Sequence, residues 1–424
     1  MSKLKYLLLL LPFIAFSCHT GKKMAQTKAA ARVPDRIEMQ SILGTLADDV
    51  LQGRLTASKG EMQAAKYIRN KMEHYGLVGA GLDDSFYQPF PYHPKMNPHA
   101  KAPEASESGE KHEGTNVLGY YNNAAPFTVI IGAHYDHLGL GGKGSGSRSL
   151  KSGEVHNGAD DNASGVSAML LLARNASTLP KNFNYLFIAF SGEEEGLLGS
   201  KYFAAHPTLS LDKVSYMINM DMVGRMHDNK LIVNGTGTSP LWNKILSDDN
   251  PQKLHLVKNA SGIGPSDHTS FYLKNIPVLH LFTGQHKDYH KPSDDVAFIN
   301  WDGIEQVVGF VRFVLQKTAN QGKLTFTKTK DKSPRGRPAT FKVTLGVMPD
   351  YAYEGVGLHI DGVIEGRTAD HAGIKDGDVV LQIGQMKVTD IYSYMEALSK
   401  FNSGDQTEVV IKRGDKTMTK KVTF

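Results

Sequence analysis

The chain has 424 residues, 40% of them hydrophobic and 21% charged, with a formal net charge of +5. These values place it among ordinary globular proteins, with room for two or three domains and a sizeable core. With Lys3 and Lys5 of the apolar leader set aside, 46 basic residues face 43 acidic ones. That balance excludes a nucleic-acid footprint and an acidic tail, so no nucleic-acid partner is expected.

In chain order, Lys3 and Lys5 precede an apolar run from Tyr6 to Phe16. The run has the length of an export signal and is too short to span a bilayer. It ends Ala15-Phe16-Ser17-Cys18, which resembles the lipobox of bacterial lipoproteins. The resemblance implies a signal peptide over 1–17 and a lipid on Cys18. It further implies an exported protein, anchored at a periplasmic or cell-surface membrane face, with no transmembrane helix in the mature chain. Cys18 is the only cysteine, which rules out an intrachain disulfide and a thiolate metal site elsewhere. Residues 18–33, small and Lys/Ala-rich, read as a tether.

A helix is predicted from Asp35, and Ser58-Lys59-Gly60-Glu61 is a capping box opening a second one. That helix carries Ala65, Ile68, Met72 and Tyr75 on one face and closes at Gly76. Residues 84–112, rich in Pro, His, Ser and Glu and without periodicity, read as a surface excursion: a lid, a rim or disorder. From Phe127 strands and helices alternate. Strands are predicted at Thr128–Ile131, Tyr185–Phe190, Tyr216–Met220, Leu231–Val233 and Val278–Phe282. Helices are predicted at Ala163–Asn175, Gly196–Ala205, Leu241–Leu246, Thr269–Leu273 and Ile304–Thr318. The expectation over 34–318 is an α/β domain, its central sheet mostly parallel or mixed, with helices on both faces. Residues 319–340 read as a basic linker able to hold one short strand, and 341–424 as a small β-rich domain with one helix, Ile391–Ser399.

The polar residues of interest follow the predicted strands. They are His134-Tyr135-Asp136, Gly158-Ala159-Asp160-Asp161-Asn162, Ser191-Gly192-Glu193-Glu194-Glu195, Asp221, and Tyr289-His290 with Asp294. Carboxylates gathered at one sheet edge resist joint ionisation. Divalent cations remove that penalty, and His with carboxylate and no Cys suits zinc in a hydrolytic site. Taken singly the clusters are weak, since each could be a solvated strand end, a helix N-cap or a charged helix start.

Together the five segments resemble the zinc aminopeptidase family of the bacterial leucyl aminopeptidases, and more distantly glutamate carboxypeptidase and glutaminyl cyclase. The run Gly-Ala-Asp-Asp-Asn-Ala-Ser-Gly at 158–165 carries the match furthest. The resemblance implies hydrolysis of N-terminal peptide bonds with two zinc ions per chain. Asp161 would bridge the ions, His134 and Asp221 would complete one site, and Glu194 and His290 the other. Glu193 would be the general base, and Asp136 and Asp294 would orient the imidazoles of His134 and His290. Asp160 is the ambiguous neighbour of Asp161, and Glu195 carries no implied catalytic role. Asp267 and His268 stand as candidates for substrate or oxyanion contact, because Ile263 occupies a position where some relatives carry an oxyanion-binding tyrosine. A carboxypeptidase or a single-zinc glutaminyl cyclase is the alternative within the fold, and a non-catalytic binding protein the alternative outside enzymes. A carboxypeptidase would need basic groups, of which only Arg225 and Lys291 stand out.

At the C-terminus, Gly355-Val356-Gly357-Leu358 and Ala372-Gly373-Ile374-Lys375-Asp376-Gly377-Asp378 resemble the glycine-rich loop and a second motif of PDZ domains. The resemblance implies capture of peptide C-termini beside an open strand edge.

Overall fold

The structure, a computed structural model, describes residues 33–92, 112–142, 145–149, 151–246, 250–329, 343–350, 353, 355–364 and 366–424. The leader, Cys18 and the tether up to residue 32 lie outside the described residues, as do 93–111 of the excursion and 330–342 of the linker. The chain divides into two compact units, Met1–Pro34 and Asp35–Phe424; of the first only Val33 and Pro34 are described. Among the described residues no helix is long and apolar enough to cross a membrane.

The body is a nine-stranded mixed sheet. Its strands are β1 (Val78–Gly79), β2 (Tyr87–Tyr92), β3 (His112–Tyr121), β4 (Phe127–His134), β5 (Phe183–Phe190), β6 (Val214–Met220), β7 (Lys230–Asn234), β8 (His255–Asn259) and β9 (Val278–Phe282). They lie in the order β1-β3-β5-β4-β6-β9-β7-β8, with β2 also paired to β3. The central four, β5, β4, β6 and β9, are mutually parallel. Their carboxyl ends therefore open on one edge, where ligands of such sheets bind.

Helices cover both faces. They are α1 (Asp35–Leu46), α2 (Lys59–His74), α3 (Gly165–Arg174), α4 (Leu198–Ala205), α5 (Trp242–Ile245), α6 (His268–Tyr272) and α7 (Trp301–Thr318). The twofold alternation of strand side chains sorts the core. Val129, Ile131, Tyr185, Phe187, Tyr216 and Ile218 pack with α1, α2, α3 and α7, while Ile130, Leu186, Ile188, Phe190 and Met217 pack with Phe203 of α4 and Phe271 of α6. Burial on both faces explains why these strands read as continuous apolar runs.

Two expectations change. The excursion is not structureless at its ends: β2 and β3 form an antiparallel pair from Tyr87↔Val117 to Tyr92↔His112. Pro89 and Pro91 masked the strand, but β2 lies at a sheet edge, where missing N–H groups are tolerated. The start of the linker belongs to the body: Leu324 is buried, Thr327 N–H donates to Thr238 O, and Thr329 meets the Tyr272 hydroxyl at 2.9 Å. No strand forms among its described residues.

The Ser58 half of the capping box forms, its Oγ accepting from Glu61 N–H. Glu61 reaches past it to the Ala57 N–H and, deeply buried, also accepts from Thr115 N–H, Tyr135 Oη and Ser191 Oγ. Helix α2 is thereby pinned beside the loops that follow β4 and β5.

A second small domain follows, with its own core including Leu345, Leu358, Ile360, Val380, Ile383 and Ile411. Its strands are β10 (Val347–Pro349), β11 (Leu358–Val363), β12 (Val379–Ile383), β13 (Met386–Lys387), β14 (Gln406–Arg413) and β15 (Lys416–Thr423), with helices α8 (Thr368–His371) and α9 (Ile391–Leu398). The sheet order is β10-β11-β12-β14-β15, with β13 on β12.

Between α1 and α2 the turn Asp49–Arg54 buries an arginine. The Arg54 guanidinium donates to the carbonyls of Tyr135, Asn157 and Gly158 at 2.7, 2.7 and 3.1 Å, and to that of Leu46. It ties the segment after β4 to the segment before α3. Burial lowers its pKa to about 10, opposed by Asp136, Asp161, Asp294 and Glu194, so it stays charged at neutral pH. Arg54→Met keeps apolar bulk but strands these buried acceptors, each costing about 1–3 kcal/mol. A loss of at least about 3 kcal/mol is expected in urea unfolding, and an unchanged midpoint would show that the carbonyls find other donors.

Candidate active site

The parallel register brings the strand-end residues together. His134, the last residue of β4, lies opposite Phe190 of β5, so the turn 191–195 begins beside it. Asp221 follows β6 directly, anchored by its N–H to Leu281 O. The segment Ala159–Ser164 enters α3 from below the same edge.

Within this cluster Asp161 sits between two groups. Its Oδ1 lies 3.3 Å from His134 Nε2, which is also 3.3 Å from Asp221 Oδ1. Its Oδ2 lies 3.2 Å from His290 Nε2, which is also 3.2 Å from Glu194 Oε2. Four-coordinate zinc with bonds of about 2.0–2.1 Å keeps its ligands roughly 3.3 Å apart. The donor types and their spacing therefore fit a cation on each side of Asp161. Asp160 turns away: its Oδ1 accepts from Gly224 N–H and Ser164 Oγ, and its Oδ2 faces His286.

The two adjacent glutamates occupy opposite electrostatic states. Burial raises Glu193 well above the usual carboxylate range; Asp221, Glu194 and Asp267 add to this and His134 opposes it. Burial acts on Glu194 in the same sense, but His290 and a hydrogen bond from His137 outweigh it and hold Glu194 at about 2. Both line a cleft with His134, Asp161, Asp221, Met222, Asn234, Pro265, Ser266, His280, Phe282, Gln285 and Tyr289.

Asp136 lies 3.6 Å from His134 Nδ1, which is closer to the Asp136 carbonyl at 3.2 Å; its carboxylate accepts from the N–H groups of Glu193 and Glu194. Asp294 departs from expectation. It accepts from the N–H groups of Asp160 and Asp161, and His290 Nδ1 instead meets Gly146 O at 3.1 Å. Asp267 and His268 are fully buried and absent from the cleft lining, His268 stacking behind His280 at 4.5 Å. Direct substrate contact by either is thus not supported. Their neighbour Ser266 has the clearer task, donating to Asp221 Oδ2 at 2.6 Å.

Four residues take places that the sequence reading did not assign to them. Tyr289 lines the cleft stacked on His290 at 3.8 Å, a placement legible only in its adjacency to that histidine. His280 enters from β9, hidden in an apolar strand. His137 falls beside Asp161 and Glu194, three residues after His134. Arg148 donates from its main chain to His290 O at 2.9 Å and from Nη1 to Tyr289 O at 3.3 Å. Its guanidinium also lies against Gly362 of β11, where an added Cβ would stand 2.3 Å from Nη2.

Residues 116–314 match the model of Peptidase family M28, and residues 325–424 that of a PDZ domain. The chain carries a family M28 peptidase domain followed by a PDZ domain. The chain is 27% identical over 222 residues to "Aminopeptidase YwaD" of Bacillus subtilis, covering 49% of this chain and 45% of that protein. The chain thus spans less than half the length of this curated relative. Among solved structures, a zinc aminopeptidase from Bacillus subtilis is similar at 19% identity and a TM-score of 0.51, covering 69% of this chain and 99% of that one. A Bacteroides thetaiotaomicron glutaminyl cyclase is similar at 18% and 0.51, covering 68% and 99%. These likenesses are of fold.

In the PDZ domain the expected peptide loop, Gly355, Val356, Gly357 and Leu358, leads into β11. That strand is paired on one side with β10 and on the other with β12. An interior strand offers no edge for augmentation. Among the described residues the end strands of the sheet are β15 and β10; β10 follows Leu345-Gly346, and Gly346 holds a left-handed φ of 71°.

Metal ligation by His134 and His290 requires neutral imidazoles. In the absence of a cation the surrounding carboxylates outweigh burial, raising His134 well above 6.5 and His290 to about 10. At neutral pH both rings are then protonated, and cation binding must expel those protons. Zinc affinity should therefore rise with pH between 6 and 8, by up to about tenfold per pH unit for each proton released. Calorimetry in buffers of different ionisation enthalpy would count the protons; zero release would contradict ligation by either imidazole.

Proposed function

We propose that the chain is a co-catalytic two-zinc aminopeptidase. Asp161 would be shared between the two ions, with His134 and Asp221 holding one and Glu194 and His290 the other. The observation that carries the reading is the shared placement of Asp161, with one oxygen toward each imidazole-carboxylate pair. Zinc, when bound, lowers the pKa of a water and polarises a carbonyl.

The protein's own groups do the rest. Glu193 faces the cleft and bonds neither imidazole, so it is free to take the proton of the attacking water. Its raised affinity for protons retains that proton until the leaving amine accepts it. Tyr289 offers a phenol O–H in the cleft for the developing oxyanion, the task left open at Ile263, which lies outside the lining. Ser266 fixes the first site by holding Asp221, and Asp136 holds the 193–194 main chain that carries the base and a ligand of the second site.

The choice of aminopeptidase over carboxypeptidase rests on charge. Among the described residues no Lys or Arg lines the cleft, whose charged groups include Asp161, Glu193, Glu194 and Asp221. Arg225 is occupied at 3.0 Å with Asp288. Carboxylates suit a free α-amino group, and Met222, Phe282 and Pro265 suit an apolar N-terminal side chain. The PDZ domain is proposed to take peptide C-termini along β10. The leader is proposed to export the chain and leave it lipidated on Cys18, in which case Cys18→Ala should move the protein from the membrane to the soluble fraction. Membrane retention by that variant would count against the anchor.

The deciding experiment compares free-amino, N-blocked and C-amidated peptides on zinc-loaded protein. Only N-blocking should abolish turnover; loss on C-amidation would point to a carboxypeptidase, and cyclisation of N-terminal glutamine to a cyclase. Glu193→Gln should keep its zinc and lose about 10²–10⁴ in kcat, while Glu194→Gln should lose zinc. Exchanged phenotypes would place base and ligand the other way round.

A further inference from the structure

His137 is fully buried and serves none of the roles above. Its Nδ1 lies 2.8 Å from Glu194 Oε1 and 3.9 Å from Asp161 Oδ2. The first separation is that of a hydrogen bond, shorter than the roughly 3.3 Å between ligands of one tetrahedral zinc, and the second exceeds it. Glu194 meanwhile offers its other oxygen, Oε2, to the group formed with His290 and Asp161. The protonation of the ring follows from its surroundings. His137 Nε2 has no hydrogen-bond partner among the described residues, so a proton there would be buried and unpaired. A proton on Nδ1 finds a carboxylate.

The ring is held to that task. Its main-chain N–H donates to Arg54 O at 3.3 Å, and its edge meets His290 at 5.7 Å between centroids. It lies against Gly158, where an added Cβ would stand 2.6 Å from Cδ2.

We infer that His137 is a positioning residue for the second cation: its Nδ1–H fixes Glu194 Oε1, leaving Oε2 as the one oxygen presented beside His290 and Asp161. This rests on the two-zinc reading. Partners that orient a ligand typically govern about 10–100-fold in metal affinity.

The test measures stepwise Zn²⁺ affinity of the full chain by competition with a chromophoric chelator, with circular dichroism to verify folding. The wild type should take two ions. His137→Ala should weaken one step by about 10–100-fold and leave the other unchanged. His137→Asn keeps an N–H near the position of Nδ1 but is a poor zinc ligand, and it should restore the weakened step to within a few-fold. Wild-type affinity in a folded His137→Ala would overturn the inference. An Asn variant as weak as the Ala variant would overturn it in favour of direct ligation. A wild type that binds one ion would instead remove the two-zinc reading itself.

Discussion

The molecule is organised around the electrostatic cost of gathering carboxylates at the carboxyl ends of the parallel strands of one mixed sheet. Asp136, Asp160, Asp161, Asp267 and Asp294 are buried there, with Glu193, Glu194 and Asp221 only partly exposed beside them. They cannot all be charged without compensation. The fold divides them by surroundings. Asp161 is held well below the usual carboxylate range, where His137, His134 and His290 outweigh burial. Burial and like charge raise Asp294 to about 6 and Asp267 to about 7. Buried Arg54 contributes a permanent positive charge felt by Asp136, Asp161, Asp294 and Glu194, and its carbonyl contacts locate the loops that present the acids.

Much of this arrangement is written in local order. Each acid or histidine follows an apolar strand, and parallel pairing converts that succession into a common edge. The choice of Asp161 over Asp160 is physical: Asp160 is consumed by Gly224 N–H and Ser164 Oγ. Residues that act through space left weaker traces. Arg54 lies 81 positions from Tyr135 and sits in a turn whose composition reads as a loop. His280 hides in a fully buried strand, and the task of Ser266 emerges only where its hydroxyl meets Asp221. The prolines of β2 concealed a strand because a central strand would forbid them and an edge does not.

The outer contacts of the two histidines also differ from the simple expectation of one carboxylate each. His134 leans on the Asp136 carbonyl, freeing that carboxylate to receive the main chain of the glutamate turn. His290 leans on Gly146 O, freeing Asp294 for the N–H groups of Asp160 and Asp161. Both aspartates thereby set backbone as well as charge, fixing the direction from which Glu194 and Asp161 reach the site. The PDZ domain poses a related problem: a glycine-rich run before a strand resembles a binding loop, and only sheet order reveals which strands lie at the ends of the sheet.

Arg148 gives this two-domain chain a short mechanical path. One residue holds the carbonyls of Tyr289 and His290 while its guanidinium abuts Gly362, in the PDZ strand next to the end strand β10. The absence of a side chain at 362 is what lets the strand and the guanidinium approach so closely. Linkage is reciprocal. Any coupling that this contact carries between β11 and the loop bearing His290 must therefore act equally in both directions, and neither domain would then be a passive appendage of the other.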